Sequence, residues 1–451
     1  MPGLALAAAE FAVLMTAFGP FEDRVRVAIG VSGGADSMAL CLLLDRWVRE
    51  RGGRVAALTV DHGLRPDSRL EAERVAQWLG QRGIEHHILP LPGPPITKAV
   101  QQAARAARYA VMMAWCRLHG VLHLAVAHNS EDQAETFLLR LGRGSGVTGL
   151  SAMAPIVSLD DARLIRPLLA VPRQRLEATA TAFEQPWISD PSNHNSAFRR
   201  VRMRHTVLPL LGTEGLSVSC LTATAKRLGR SRQALDLAVA AVLARAAALD
   251  PAGFVRLGVV PLVQAAEEIG LRALAGVITC VGGALYPPRL ERLERLYHLL
   301  VNGQLAGGMS GGGVTLGGCR IVPQGEDGVL VCRESARVAA ALPLVSSLRQ
   351  HWDGRFLIEA GPEMGFGRYV AALGVTGWRT ISRKKGGRSL VRWVPAQVRP
   401  TLPAIFDEEG ILAVPNVGYN RREESRWPTP CRVVFAPVRP MTTVLSSLVL
   451  S

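Results

Sequence analysis

The chain has 451 residues, 48% hydrophobic and 20% charged, which is ample material for more than one core and excludes a disordered chain. Its seven cysteines are odd in number, widely spaced and without a C-x-x-C pair, which excludes a disulfide scaffold, a zinc ribbon and a dithiol redox site and points to reduced thiols in the cytoplasm. The 52 basic residues outnumber the 37 acidic ones by 15, and such a surface draws polyanions, nucleic acid foremost.

The chain opens with an apolar stretch over residues 1–21. Glu10 interrupts it and no basic start precedes it, so the pattern predicts a short helix and no signal peptide. No segment is long and apolar enough to span a membrane. Residues 24–31 (RVRVAIGV) read as a β-branched strand running into a glycine turn. Helical spacing covers 35–51, and a buried strand covers 55–60 and ends at Asp61-His62-Gly63. An amphipathic helix follows over 67–83 with Asp67 as its N-cap, then a strand over 85–89. A long helix runs over 97–120 and stops at Gly120; a fourth strand (121–127) and a helix (131–141) complete the series.

Repeated strand–helix units predict an α/β domain, a Rossmann-like parallel sheet with helices on both faces, whose strand C-termini gather at one ligand-binding edge. Beyond residue 212 the pattern changes. Residues 216–249 and 260–300 look helical, 307–330 is glycine-rich and β-like, and from 340 on short strand-like runs alternate with Pro and Gly. This predicts a catalytic domain over 1–212, a mainly helical domain over 213–335 and a small mixed C-terminal domain over 336–451. The first holds 24 basic and 19 acidic residues, the remainder 28 and 18, so the appended part carries twice the positive excess.

Ser32-Gly33-Gly34-Ala35-Asp36-Ser37 lies where the first strand hands over to the first helix. Glycines there permit a sharp turn and close approach of a ligand. Backbone N–H groups at a helix start favour an anion, and Ser32 and Ser37 add hydroxyls. The loop lacks the lysine of a Walker A loop and the spacing of G-x-G-x-x-G. Asp36 beside a polyphosphate needs a cation between them, and Mg²⁺ suits a carboxylate shared with phosphates.

The residues SGGADS resemble the pyrophosphate loop of the PP-loop ATP pyrophosphatases, adenine nucleotide alpha hydrolase-like enzymes that cleave ATP between the α and β phosphates and adenylate a substrate. Further motifs narrow the resemblance to the tRNA(Ile)-lysidine synthetases. They are Val60-Asp61-His62-Gly63-Leu64-Arg65 with Ser68, Ala104 to Tyr109 (ARAARY), Ala127-His128 with Asp132 to Thr136 (DQAET), and the glycine loop LGRGSGVTGL at 141–150. Arg166 to Leu169 (RPLL) and Trp187 to Asn193 (WISDPSN), followed by Arg199 and Arg202, complete an ordered series across residues 24–212. Two positions depart from the pattern. Asn129 stands where the family usually has a second histidine, and Glu131 where it has the first of two aspartates.

The resemblance implies that ATP adenylates C2–O of the wobble cytidine of the CAU-anticodon isoleucine tRNA, and that free L-lysine then displaces AMP to give lysidine. ATP binding falls to residues 32–37 with Asp61 and His62, and Mg²⁺ to Asp36. Asp132 and Glu135 share one helix face and, with Asp36, form an acidic pocket for the cation or the lysine ammonium. Arg105 and Arg108, also three apart, are placed to clamp a phosphate or the lysine carboxylate. Asp36, Asp132 and Arg108 carry the chemistry in this reading. Arg140, Arg143, Arg199 and Arg202, with neighbouring Arg200 and Arg204, make a basic rim for the RNA backbone. A second basic stretch runs from Arg368 through Arg379, Arg383, Lys384, Lys385, Arg388 and Arg392 to Arg399, interleaved with Tyr369, Trp378 and Trp393, and suits the tRNA body. Monomer and homodimer both stay open. The alternatives are another PP-loop tRNA-modifying or adenylating enzyme, or a non-catalytic tRNA-binding protein on a relic nucleotide fold. Thiolating relatives use C-x-x-C, which is missing, and the intact Asp36, Asp132 and Glu135 argue against a relic.

Overall fold

The computed structural model describes residues 3–61, 63, 68–91, 100–159, 162–189, 196–305, 313–325, 327–361, 367–383, 393–421 and 431–442. Its contacts group the chain into two compact units, one up to Gln233 and one from Ala234 on.

In the first unit α1 (Ala8–Thr16) precedes β1 (Arg26–Gly30), α2 (Ala35–Arg49), β2 (Arg54–Asp61), α3 (Ser68–Gln81), β3 (Glu85–Pro90), α4 (Val100–His119) and β4 (His123–Ala125). Then come α5 (Ser130–Leu141), α6 (Val147–Leu150), β5 (Ile156–Ser158), β6 (Arg163–Ile165) and α7 (Arg173–Ala182). The six strands lie in the order β3-β2-β1-β4-β6-β5, all parallel to their neighbours except β5.

Alternation along each strand decides what covers which face. Val27, Ile29, Val55, Ala57, Ala125 and Ile165 pack with Phe11 and Met15 of α1, Met38 and Leu44 of α2, Val75 and Leu79 of α3, and Leu176 of α7. Ala28, Ala56, Leu58, Leu124 and Leu164 turn the other way, onto Met112, Trp115 and Cys116 of α4. Burying each large side chain of these layers contributes about 1.5–3 kcal/mol. β5 and β6 are three residues each, too short for a pattern to announce them.

A helical run closes the unit: α8 (Arg199–Arg202), a π-helical turn (Met203–Val207), α9 (Leu208–Thr213) and then α10 (Val218–Ala246), whose later part belongs to the second unit. Ala134 and Phe137 of α5 pack on Leu208, Leu221 and Ala225, so α5 is anchored from that side.

In the second unit β7 (Ala247–Asp250) and β8 (Phe254–Gly258) precede α11 (Val260–Val263), α12 (Glu267–Gly282), α13 (Leu290–Val301), β9 (Val314–Leu316), β10 (Cys319–Pro323) and β11 (Gly328–Arg333). The antiparallel sheet β7-β8-β11-β10-β9 shares a core with α12 and α13. The helical pattern over 216–249 overshoots: α10 ends at Ala246, and the next four residues pair with β8 from Ala247↔Leu257 to Asp250↔Phe254. A sheet partner overrides local propensity there.

Two further sheets contain β12 (Leu342–Pro343), β13 (Arg349–Trp352), β14 (Phe356–Ala360), β15 (Tyr369–Ala372), β16 (Pro403–Asp407), β17 (Gly410–Val414), β18 (Tyr419–Asn420) and β19 (Cys431–Phe435), with α14 (Gly374–Arg383) between β15 and β16. Fully buried Arg355 and nearly buried Arg333 both bind Asp353, at 2.7 and 3.0 Å to Oδ2, and fix this part of the core. Among the described residues no single helix is long and apolar enough to cross a membrane.

Candidate active site

The strand order reverses direction between β1 and β4, and the loops leaving these two strands face one crevice. The loop after β1 is the glycine loop. Gly33 has φ +82°, and a Cβ on it would stand 2.8 Å from Cδ1 of Ile188 and 3.0 Å from Cγ2 of Val75. The positive φ is what requires glycine, and a Cβ would also push these two methyl groups aside. The Ile188 amide donates to the Gly33 carbonyl at 2.9 Å, so the start of the WISDPSN motif packs on the loop; residues 190–195 lie outside the described residues.

Gly34 is the N-cap of α2 and offers no side-chain cap, so the first amides of a 15-residue helix are left for a ligand. Ser37 shapes the loop instead of supplying a free hydroxyl. Its Oγ donates to the Gly34 carbonyl at 2.9 Å and accepts from the Ser32 amide at 3.2 Å. Ser32 remains exposed at the mouth.

Asp36, in the first turn of α2, meets the N-terminus of α5. One oxygen, Oδ2, accepts from Asn129 Nδ2 at 3.0 Å; the other, Oδ1, is buried without a protein partner among the described residues. Burial pushes the Asp36 carboxyl up to about 6; Arg173 offsets part of this and Asp132 adds to it. Asn129 also closes a capping box with Asp132, whose amide donates to Asn129 Oδ1 at 3.0 Å and whose Oδ2 accepts from the Asn129 amide at 3.2 Å. Glu131, the other departure, caps α7 by accepting from the Arg173 amide at 3.1 Å.

Arg204, assigned from sequence to the RNA-facing rim, turns inward. It donates to Asp132 Oδ1 at 2.9 Å and to Glu135 Oε1 at 2.5 Å. Glu135 is 1% exposed, so its carboxylate is spent on Arg204 and does not line an open pocket. Burial raises the Glu135 carboxyl above its usual range, and Arg204 counteracts it. Arg204 lies 69 residues from Glu135, on the π-helical turn, and no local spacing announces this pairing.

The loop after β4 carries His128 into a group of arginines. Arg105 approaches Nε2 at 3.1 Å and Arg166 approaches Nδ1 at 3.3 Å. Lost hydration, then Arg105, Arg166, Arg200 and Arg108, hold the imidazole well below its usual pKa, so it is neutral. A neutral imidazole has one acceptor nitrogen and turns its N–H toward the second arginine. Arg105 also stands 5.5 Å from the centre of the Tyr109 ring, one turn along α4, with Arg108 exposed beside it. Arg166, 8% exposed and tied to the Ala154 carbonyl at 2.7 Å, is a member of this cluster that spacing did not reveal.

Arg140 is another correction to the rim. Its guanidinium donates to the Gly149 and Ala152 carbonyls, both at 2.8 Å, and so staples the glycine loop. Arg143 and Arg199 are exposed, as is Arg202, which braces the Ser196 and Ala197 carbonyls at 2.7 and 2.9 Å. Asp61 ends β2 and accepts from Ser68 Oγ at 2.8 Å and the Gly63 amide at 3.1 Å, so it shapes the turn at the sheet edge. His62 lies outside the described residues, as do 307–312 of the glycine-rich run and 384–392 of the second basic stretch. In that stretch Arg399 sits 4.6 Å over the Trp378 ring, and Tyr369 stacks on Phe406 at 5.3 Å, so these two aromatic rings already have ring or cation partners.

A helix start without a side-chain cap thus lies beside a buried carboxylate oxygen, a donor set of the kind that suits phosphate and a cation shared with it. Among the described residues no group of three or more His, Cys, Asp or Glu gathers into a metal cage.

A model of the PP-loop domain matches residues 8–211. The tRNA(Ile)-lysidine synthase of Wolbachia pipientis wMel is 33% identical over 401 residues, 88% of this chain and 89% of that protein. That of Ruegeria pomeroyi is 35% identical over 410 residues, 87% and 89%. That of Methylobacterium nodulans is 41% identical over 313 residues, 65% and 86%. The phosphate loop at the switch point and the near full-length likeness lead to one conclusion: the chain belongs to the tRNA(Ile)-lysidine synthase family.

Proposed function

We propose that this protein ligates L-lysine to C2 of the wobble cytidine of the CAU-anticodon isoleucine tRNA, consuming ATP and releasing pyrophosphate and AMP. The observation that carries the reading is the meeting of Asp36 and Asp132, through Asn129, beside an uncapped phosphate loop in a chain with this family likeness.

The amides of residues 35–37 hold the pyrophosphate portion of ATP, and Asp61 lies at the edge where the nucleoside binds. Mg²⁺, held by Asp36 Oδ1, would supply neutralisation of phosphate charge. In the first step the cytidine O2 takes the adenylyl group and pyrophosphate leaves. A carbonyl oxygen is a poor leaving group, and as part of AMP it becomes a good one. In the second step lysine Nε attacks C2, the C2–O bond breaks, and a proton leaves the amine.

Asp132 holds the lysine ammonium until that proton is lost. Arg204 donates to both Asp132 Oδ1 and Glu135 Oε1 and so fixes the carboxylate that receives the ammonium. Arg105 and Arg108 bind an anionic group, phosphate or lysine carboxylate, opposite the carboxylates. The exposed Arg143, Arg199 and Arg202 position the RNA backbone.

Incubation of the purified protein with ATP, Mg²⁺, labelled lysine and tRNA, followed by mass analysis of the nucleosides, tests this. A lysine-bearing cytidine together with AMP is the expected result. Absence of AMP with every tRNA sinks the ligase reading.

A further inference from the structure

Asn129 is 1% exposed and uses both ends of its amide. Oδ1 accepts from the Asp132 backbone N–H at 3.0 Å, and Nδ2 donates to Asp36 Oδ2 at 3.0 Å. The two partners fix the amide orientation, since a backbone N–H only donates and a carboxylate oxygen only accepts. A helix N-cap needs only the first bond. The second crosses the crevice from the loop after β4 to the first turn of α2, and it leaves Asp36 with one pinned oxygen and one buried oxygen that no described protein group uses.

We propose that Asn129 is a positioning residue of the adenylation step: it pins Asp36 by Oδ2 and aims Oδ1 at the place of the ATP phosphates and their cation. The residue type fits the task. An amide N–H holds the carboxylate without cancelling its charge, whereas a lysine or arginine there would neutralise Asp36 and compete with the cation. The amide also stands between two acids, satisfying Asp36 with its donor end and the Asp132 backbone with its acceptor end. A neutral imidazole offers the same pair of functions, one acceptor nitrogen and one N–H. The proposal rests on the nucleotide site described under Proposed function.

Asn129→Ser and Asn129→Thr keep the N-cap acceptor and are too short to bridge to Asp36 as well. Asn129→His keeps both functions. Three readouts decide: melting temperature, the Mg²⁺ concentration that half-saturates binding of a fluorescent ATP analogue without tRNA or lysine, and the kinetics of AMP release. Loss of an outer partner of a metal-binding carboxylate costs about 10–100-fold in affinity or activity. Ser and Thr variants are therefore expected to melt near the wild-type temperature. Their Mg²⁺ requirement should rise about tenfold and their kcat fall about 10–100-fold, with KM for tRNA unchanged. The His variant should recover most of both.

Wild-type Mg²⁺ dependence in the Ser variant overturns the proposal, as does a His variant no better than Ser. A large drop in melting temperature in both capping variants also overturns it, because the bond to Asp36 is then structural. If the wild-type protein releases no AMP, the ligase reading fails, and the Mg²⁺-dependent binding of ATP still decides the role of Asn129.

Discussion

Two clusters of opposite charge face the same crevice, and the protein treats them differently. On one side Asp36, Asp132 and Glu135 converge at the start of α5, and Arg204 answers two of the three. On the other, Arg105, Arg108, Arg166 and Arg200 surround a neutral His128, and the charges that act on that imidazole are all arginines. The acids are compensated from within except for one oxygen of Asp36, while the arginines crowd together as like charges. The acid side is therefore close to internally neutral, while the arginine side keeps an uncompensated positive field.

Asp36→Asn is the hardest test of that division. It keeps the side chain's shape and its contact with Asn129 but removes the charge behind Oδ1. AMP formation is expected to fall at least about 100-fold, as when a charge-stabilising group is lost from an active site. tRNA affinity in filter binding should stay near wild type. Surviving activity would remove the cation from Asp36 and leave the acid side without a function of its own.

Arg204→Met strikes the internal compensation. Glu135 would be left buried with no partner, and breaking a buried pair from one side costs about 3–5 kcal/mol. Chemical denaturation is the measure. A loss under about 1 kcal/mol would mean that Glu135 takes up a proton instead and that Arg204 is dispensable to the fold.

A subtler difference concerns Asp36 itself, whose carboxyl sits at about 6 when folded against 3.8 in a free chain. The native state holds the proton more tightly, so ionisation works against folding. The penalty is absent below the free-chain value, grows as pH rises toward 6 and is complete above it. In chelator, Asp36→Asn is expected to be more stable than wild type by about 1–3 kcal/mol at pH 7–8, with the gap closing by about pH 4. A gap that does not change with pH would mean the carboxyl is not desolvated.

Much of the first unit was legible because its strands alternate strongly and its helices have clear faces. The loop was legible too, since S-G-G-x-D-S between a strand and a helix has a mechanical meaning. Pairings remote in sequence were not. Nothing near Arg204 says that it turns inward to Glu135, and nothing near Arg140 says that it staples Gly149 and Ala152. Both looked like solvent-facing arginines because a dense basic run does not reveal which guanidinium finds a carbonyl or a carboxylate. Asn129 was not read as a cap, although N-x-x-D before an apolar helix is the signal for one, and its bond to Asp36 depends on β1 and β4 being neighbours. β7 shows the same limit in the second unit, where an alanine-rich run becomes a strand only because β8 lies beside it.

The mildest prediction compares the two halves of the chain as RNA surfaces. The part beyond residue 212 holds the larger positive excess, and the exposed rim of the first unit consists of Arg143, Arg199 and Arg202 with Arg200. Each lost phosphate contact should lower the slope of log affinity against log salt by about 0.7–0.9. Gln at Arg143, Arg199 and Arg202 should lower it modestly and also reduce kcat, because these residues adjoin α5 and the π-helical turn, which carry Asp132 and Arg204. Glu at Lys384, Lys385 and Arg388 should flatten it more and leave kcat at saturating tRNA unchanged, since nothing in the chemistry calls on those side chains. An unchanged slope in the second variant would move that stretch out of the interface. The positive excess of the appended half would then serve only as a long-range field that brings the RNA in.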